Sequence, residues 1–507
     1  MKDLLLGIDV GTAGTKSAIF TTRGTLVSVG HSDYGIQHEH PGWAEQDPEI
    51  WWNAVCSATR QAISAVPDGT EKIAGIAVSS QAPTMLPLNR QSKPIRPALI
   101  WMDRRSELEA RELERLCGEG IIQLVTGNRP DPYYVASKIL WYRTHEPERF
   151  AETDLFVQAN GYINYRLTGL HSMDTVHAAL LQLQHYEGGG WSEMLCNTCG
   201  VSPDHFPPIH PGHRVLGEMT AKAAEATGLS PGIPVMVGTV DGAAAALEAG
   251  ALAAGTAAEM TGTSTVLLMP SDKPVTRPEF IAIPHCVPGK HLLLGALAAS
   301  GASLRWFRDQ FGTVEAHGRR DPYDLLTKEA AQSRPGSGGV VFLPYMMGER
   351  SPIWHTNARG VFFGLTLSTT RGAMIRSILE GTAFALLHNV EYAEKAGITL
   401  RTLRSVGGGT RSSLWNQIKA DVLGISILLP ETSVGAAFGD AILAGMGLGL
   451  YTDVEESLGS MVKINARFEP DAAHHRLYMN IYEVYRNLYE DLREEFDRAA
   501  GVCTDQQ

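Results

Sequence analysis

Cysteine is scarce in this chain. Six cysteines occur in 507 residues, far below the density of small secreted domains that depend on disulfides. Cys196 and Cys199 have the spacing of zinc ligands, but no second such pair and no suitably spaced histidine pair lies nearby. The sequence therefore predicts a reducing, cytoplasmic setting and no structural zinc.

A surplus of positive charge is also missing. The 43 Lys and Arg residues against 55 Asp and Glu residues give a net charge of −12, whereas surfaces that bind nucleic acid or anionic membranes need clustered Lys and Arg. The most apolar long stretch, residues 242–269, contains Glu248 and Glu259 and suits a packed helix and hairpin rather than a membrane span. We expect neither a nucleic-acid nor a membrane partner.

The length predicts more than one domain. A chain of 507 residues exceeds the roughly 250–300 residues at which single hydrophobic cores stop growing. Short strands alternate with helices throughout, which indicates a mixed α/β class. An apolar strand that ends at Asp241 marks a boundary, so we expect one domain over residues 1–245 and a second over residues 246–507.

The segment from Asp9 to Lys16 is the first candidate site. Two β-type runs, Leu4–Val10 and Lys16–Thr21, flank a tight turn, where backbone N–H groups and the Thr12 hydroxyl can surround a phosphate beside the Lys16 charge. Asp9 would face those phosphates, which is repulsive unless Mg²⁺ lies between them. The turn fits neither the P-loop nor the dinucleotide pattern, and a Gly-x-x-Gly hairpin alone is more often only a turn.

Three further segments could carry chemistry. Asp241 at the carboxyl end of its strand could take a proton from a substrate hydroxyl or could cap a helix. The hairpin around Thr261–Ser264 faintly repeats the first turn. Gly407–Thr410 joins a strand to the helix that bears Trp415, where glycines either admit an adenosine against the backbone or simply begin the helix.

The four segments read DVGTAGTK, GTVDGAAAA, EMTGTST and SVGGGTRSSLW, and in this order and separation they resemble the FGGY carbohydrate kinases. Further likeness in WAEQDPEIWW, ALIWMDRRS, DPYYVASKILW and LPYMMGERSP extends the resemblance over nearly the whole chain. It implies an α/β fold of two actin-like (ribonuclease H-like) ATPase domains with an interdomain active-site cleft. Sugar would bind the first domain and most of the nucleotide the second, and homodimers are common in the family.

The resemblance also implies roles for individual residues. ATP and Mg²⁺ would be used to phosphorylate a hydroxyl of a small sugar, with Asp241 matching the catalytic base. Asp9 matches the residue that binds Mg²⁺, and Thr12 and Lys16 match residues that bind the phosphates. The remaining nucleotide-binding positions are Thr261, Gly262, Thr263, Gly408, Gly409 and Ser413.

The nearest overall likeness is to xylulokinases, which implies a ketopentose such as D-xylulose as substrate and its 5-phosphate as product. Those enzymes usually carry a Gly-Gln-Met-His-Gly run, whereas this chain has Val78–Pro83 with Ser80 and Gln81 at the Met and His positions. Gln81 can hydrogen-bond to a polyol but offers no imidazole. Another ketose or a polyol is therefore an alternative substrate, and a non-catalytic actin-fold ATPase is the alternative from another class.

Three more side chains are candidates for the sugar pocket, beside Ser80, Gln81 and Asp241. Trp101 aligns with a pocket-lining tryptophan of several family members, and Tyr133 lies in a segment that resembles glycerol kinases. Asp103 is close to Trp101 in sequence. Each also has a structural interpretation, as core filler for Trp101, as an arginine partner for Asp103 and as a packed aromatic for Tyr133.

Overall fold

The structure is a computed structural model that describes residues 2–312, 321–431 and 434–504. As far as these residues go, the chain packs as two compact units whose segments interleave along the sequence. The first unit comprises Met1–Leu252, Ser271–Leu292 and Val434–Val462, and the second comprises Ala253–Pro270, Leu293–Ser433 and Lys463–Gln507. The units of packing are not two contiguous halves, and the functional division after residue 245 stays a prediction.

Most strands and helices are short. The strands are β1 (Leu4–Val10), β2 (Gly14–Thr21), β3 (Leu26–Asp33), β4 (Glu45–Gln46), β5 (Ile73–Ser80), β6 (Leu86–Leu88), β7 (Ala98–Leu99), β8 (Leu155–Val157), β9 (Met173–Asp174), β10 (Ile209–His210), β11 (Val215–Glu218), β12 (Pro234–Met236), β13 (Thr239–Val240), β14 (Thr256–Thr261), β15 (Thr265–Ser271), β16 (Ile281–Pro284), β17 (His291–Leu297), β18 (Val341–Leu343), β19 (Val361–Phe363), β20 (Thr402–Val406), β21 (Ser426–Pro430) and β22 (Ile464–Phe468). The helices are α1 (Pro48–Ser64), α2 (Gly69–Lys72), α3 (Glu107–Cys117), α4 (Ile121–Thr126), α5 (Val135–His145), α6 (Pro147–Ala151), α7 (Ala159–Thr168), α8 (Thr175–Ala179), α9 (Glu193–Cys199), α10 (Ala221–Thr227), α11 (Asp241–Glu248), α12 (Gly301–Phe311), α13 (Pro322–Ala330), α14 (Arg371–Lys395), α15 (Ser413–Leu423), α16 (Ala437–Gly447), α17 (Val454–Met461) and α18 (Ala472–Thr504).

The first unit is built on a mixed sheet with the strand order β11-β12-β5-β1-β2-β3, and β13 also pairs with β5. Side chains alternate between the two faces of a strand. One face of β1 is entirely apolar and packs with α1 in a buried core through Leu4, Leu6, Ile8 and Val10. The other face meets α16 so closely that a Cβ on Gly7 would lie 1.8 Å from the carbonyl oxygen of Ala437. Asp9 belongs to this second face.

The sheet of the second unit repeats that order. Its strands follow β17-β15-β14-β20-β21-β22. In both units an antiparallel hairpin, β1–β2 or β14–β15, is extended by two parallel strands and then by one antiparallel strand. The faint repeat between the two hairpin sequences therefore corresponds to a repeated sheet topology.

Helix α14 is the central helix of the second unit. It runs for 25 residues and packs against α13, α15 and α18. Within the described ranges, no helix combines the length and apolar character needed to cross a membrane.

Candidate active site

The hairpin between β1 and β2 brings several predicted residues together. Asp9 and Lys16 are partners across the hairpin, so their side chains share one face of the sheet. The Lys16 ammonium donates to the carbonyl oxygen of Val434 at 2.6 Å. At the tip, the indole N–H of Trp101 donates to the hydroxyl of Thr12 at 2.9 Å. Trp101 therefore supports the hairpin rather than filling the core.

Asp9 is one of four carboxylates that influence one another in the first unit. Burial raises the pKa of Asp9 to about 6, of Asp241 to about 7 and of Glu248 to about 8. Burial also raises the pKa of Asp440 well above its usual range. The negative charge of Asp9 contributes to the increase at each of the other three. The region is therefore strongly negative when these groups are ionised.

Three of the four carboxylates have a buried oxygen that could bind a cation. Oδ1 of Asp9, Oε2 of Glu248 and Oδ1 of Asp440 are buried and accept no hydrogen bond among the described residues. Over the same residues, no three side chains of His, Cys, Asp or Glu converge closely enough to form a ligand set of their own. Mg²⁺ commonly binds through one or two carboxylates, with water and phosphate oxygens completing its shell. The residues fit such a partly hydrated ion.

Asp241 is the first residue of α11 and directly follows β13. Its Oδ1 atom accepts from the backbone N–H of Gly242 at 2.7 Å, and the capping position of the helix belongs to Val240. Asp241 is partly exposed. A partly exposed carboxylate with a pKa near 7 can accept a proton from a hydroxyl at neutral pH.

Gln81 lies in a buried network that leads back to the hairpin. Its amide nitrogen donates to Oε1 of Gln46 at 2.6 Å, and the amide nitrogen of Gln46 donates to the carbonyl oxygen of Thr12 at 2.8 Å. Gln46 carries no local sequence signal, so the sequence analysis missed it. Gln81 is fully buried, and its contact with sugar stays a prediction.

Ser80 is also fully buried, and its partners were not foreseen. Nε2 of His177 lies 3.3 Å from the Ser80 hydroxyl oxygen, and the other imidazole nitrogen bonds to Asp174. Asp174 also accepts from the hydroxyl of Thr239 at 3.3 Å. This hydrogen-bonded row of Ser80, His177, Asp174 and Thr239 therefore connects β5 with β13, the strand that precedes Asp241.

Asp103 and Tyr133 lie in different surroundings. The Asp103 carboxylate is fully buried, accepts from the backbone N–H of Ala44 at 2.6 Å and pairs with Arg105 at 2.7 Å. This geometry favours the structural interpretation of Asp103. The Tyr133 hydroxyl donates to the carbonyl oxygen of Ala82 at 2.9 Å, which places Tyr133 beside the Ser80-Gln81 segment.

The second unit contains a cavity of about 370 Å³ between its hairpin and its glycine-rich turn. The predicted residues that line it are Gly262, Thr263, Gly408 and Gly409, and Trp415, which was not predicted as a site residue, lines it as well. Arg305 was not predicted, yet it lines the same cavity, and its guanidinium donates to the Thr263 hydroxyl at 2.9 Å. An exposed arginine beside this hairpin could bind a phosphate.

Two other predicted residues of this unit, Ser413 and Thr261, do not line the cavity. Ser412 lines the cavity and accepts from the backbone N–H of Trp415, capping α15, whereas Ser413 begins the helix and is exposed. Thr261 is buried beneath the hairpin, at 1% exposure. The roles of Thr261 and Ser413 toward nucleotide stay predictions.

Comparison with known proteins gives a consistent result. The N-terminal and C-terminal domains of the FGGY family of carbohydrate kinases match residues 4–248 and 257–448. A xylulose kinase of Staphylococcus epidermidis is 29% identical over 97% of this chain and 98% of its own length. A gluconokinase of Bacillus subtilis is 30% identical over 99% of this chain and 98% of its own length. The crystal structure of xylulose kinase from Rhodospirillum rubrum superposes with a TM-score of 0.91 at 30% identity, covering 97% of this chain and all of that one.

The structure has an α/β architecture with an antiparallel hairpin in the main sheet of each unit, and the family and its sugar-kinase relatives identify the chain as a phosphotransferase that acts on an alcohol group. The chain belongs to the FGGY family of carbohydrate kinases. The predicted actin-like (ribonuclease H-like) fold class is thereby confirmed, as is sugar kinase activity with ATP as a substrate.

Proposed function

We propose that this kinase transfers the γ-phosphoryl group of ATP to a primary hydroxyl of a ketopentose such as D-xylulose, giving the 5-phosphate. The observation that carries the proposal is the position of Asp241, a partly exposed carboxylate at the end of β13 whose pKa is about 7. A base of this pKa accepts a proton efficiently at neutral pH. Similarity to xylulose kinases supports the choice of sugar.

In this proposal residues 1–245 bind sugar and residues 246–507 bind most of the nucleotide. The Asp241 carboxylate orients the attacking hydroxyl and accepts its proton. Lys16 and the hairpin around Thr12 stabilise negative charge on the transferred group. Gly262, Thr263 and the glycine-rich turn hold the nucleotide.

We also propose that Asp9 is the residue through which Mg²⁺ is bound. When bound, the ion neutralises charge on the phosphates as the phosphoryl group is transferred. Asp9 would hold the ion through one carboxylate, because its Oδ1 atom has no hydrogen-bond partner among the described residues and could act as a ligand. Lys16 offsets part of the negative charge at Asp9 and Glu248.

Gluconate is a second candidate substrate, because the gluconokinase of Bacillus subtilis matches this chain as well as the xylulose kinases do. The presence of Ser80 and Gln81 at the usual Met and His positions also favours a pocket that differs from the xylulokinase pattern. A cytoplasmic location and the homodimer common in the family are further proposals, for which the low cysteine content and the resemblance, respectively, are the support.

The test is ATP consumption with D-xylulose, other ketopentoses, hexuloses, polyols and gluconate, with the phosphorylated position identified by NMR. We expect strong stimulation by D-xylulose and phosphate at C5; strongest stimulation by gluconate would overturn the substrate assignment. Asp241→Asn should lower kcat by about 10²-fold or more while ATP still binds. The matched control is Asp453→Asn, which alters an exposed helix cap and should leave kcat unchanged.

A further inference from the structure

A buried ion pair lies beneath the hairpin of the second unit. Glu259 on β14 and Lys419 on α15 approach to 2.5 Å, with side chains only 1% and 2% exposed. Two buried charges lose their hydration, and good geometry with further hydrogen bonds is needed to compensate. Here the Ser405 hydroxyl donates to the second carboxylate oxygen of Glu259. The pair is therefore fully built into the interior of this unit.

Thr261 connects this ion pair to the hairpin. Its hydroxyl donates to Glu259 and receives a hydrogen bond from the Lys419 ammonium at 3.3 Å. The hydroxyl of Thr265 lies 3.0 Å away on the opposite strand. The single hydroxyl hydrogen of Thr261 is therefore engaged by Glu259 in this structure, and any contact of Thr261 with the nucleotide stays a prediction. The position of Thr261 fixes the hairpin tip, where the next residue, Gly262, lines the cavity.

The opposite wall of the cavity rests on the same threonine. A Cβ on Gly409 would lie 2.6 Å from Cγ2 of Thr261, and a Cβ on Gly407 would lie 2.6 Å from its carbonyl oxygen. The Lys419 ammonium also lies 5.0 Å from the centre of the Trp415 ring, which lines the cavity. A shift of the ion pair would therefore move both the hairpin and the glycine-rich turn.

We propose that Lys419 and Glu259 are positioning residues for the nucleotide: acting through Thr261, their ion pair sets the spacing between the two walls of the cavity and hence the affinity for ATP. The inference rests on the proposed nucleotide-binding role of this unit. Neither side chain touches the ligand, because both are buried below the cavity wall.

The test compares Lys419→Met with a matched control, Arg376→Met. Arg376 forms an equally buried ion pair in the same unit, 2.7 Å from Glu380, and is held by Tyr478 rather than by any residue of the cavity. Both variants leave a buried carboxylate without its cation and should lose comparable stability. We expect Lys419→Met to raise the Kd of ATP about tenfold or more, since small misplacements of binding groups are costly, and Arg376→Met to leave it within about twofold.

A second variant covers the case in which Lys419→Met does not fold. The neutral pair Glu259→Gln/Lys419→Met leaves no unpaired charge, and we expect a folded protein whose Kd for ATP is still raised about threefold. Wild-type affinity in the folded Lys419 variants, or an equal loss in Arg376→Met, would overturn the inference.

Direct binding measurements by calorimetry separate this inference from the proposed function. A wild-type protein that bound no ATP would contradict the proposed function. A wild-type protein that bound ATP, with unchanged affinity in the variants, would contradict the positioning role alone.

Discussion

Nε2 of His177 lies 3.3 Å from Oγ of Ser80, and both side chains are fully buried. The opposite nitrogen of the imidazole bonds to Asp174, which in turn accepts from Thr239, two residues before Asp241. The segment in which this chain departs from the usual xylulokinase run is thus connected to β13, the strand that directly precedes the proposed base.

The members of this hydrogen-bonded row should contribute unequally to the free energy of unfolding. His177→Ala removes the partner of a buried carboxylate and should lower the free energy of unfolding by about 3 kcal/mol. Ser80→Ala leaves a buried N–H of Asn160 without an acceptor and should cost only about 1 kcal/mol. Urea denaturation of the two variants checks the order. A larger loss for Ser80→Ala would show that Asp174 does not need the imidazole.

Local sequence patterns predicted the elements that depend on neighbouring residues. The first strand was expected over Leu4–Val10 and has those bounds, because a short apolar run and the glycine turn that follows it can both be recognised in a short window of sequence. The same reasoning placed Asp241 directly after a strand, where the structure has it.

Interactions between distant segments could not be predicted in this way. The Ser79 hydroxyl donates to Asp440 at 2.7 Å across 361 positions of sequence, and Lys419 reaches Glu259 across 160. A carboxylate on an apolar helix is not expected to be buried unless a partner is known, because burying an unpaired charge is costly. His177 and Glu248 were missed for the same reason, since no motif marks a side chain whose partners come from other elements.

Gly435 gives a test of how closely the first hairpin is surrounded. Its φ is +87°, and an added Cβ would lie 3.3 Å from both Oδ2 of Asp9 and Nζ of Lys16. Gly435→Ala should lower stability by about 1 kcal/mol, because L-residues are strained at this φ, and should lower kcat/KM by about tenfold or more by displacing Asp9 or Lys16. Steady-state kinetics and thermal unfolding measure the two effects.

The matched control for this substitution is Gly397→Ala. Gly397 has a φ of +84°, but nothing lies within 4 Å of an added Cβ. Gly397→Ala should lower stability by about as much as Gly435→Ala and should keep full activity. Equal activity in the two variants would contradict the proposed role of Asp9 and Lys16.

Trp101→Phe tests whether the indole N–H is needed at the hairpin tip. Phenylalanine retains an aromatic ring but cannot donate to the Thr12 hydroxyl. A net hydrogen bond is worth about 0.5–1.5 kcal/mol, so the KM for ATP or for sugar should rise by about three- to tenfold. Trp191→Phe is the control, because Trp191 stacks on Phe206 away from the hairpin. Unchanged KM values for Trp101→Phe would leave the tryptophan with a packing role only.

The pH dependence of catalysis follows from the surroundings of Asp241. Burial, followed by the negative charge of Asp9, raises the pKa of its carboxyl from 3.8 to about 7. A base acts only when ionised, so activity is present above this pKa and is lost as the pH falls through it. We expect kcat/KM to fall about tenfold for each pH unit below 7. Asp9→Asn removes a negative neighbour and should move this acid limb to lower pH, even where the overall rate is reduced. An acid limb near pH 4 in the unsubstituted enzyme would mean that the Asp241 carboxyl ionises as it does in water, or that another group accepts the proton.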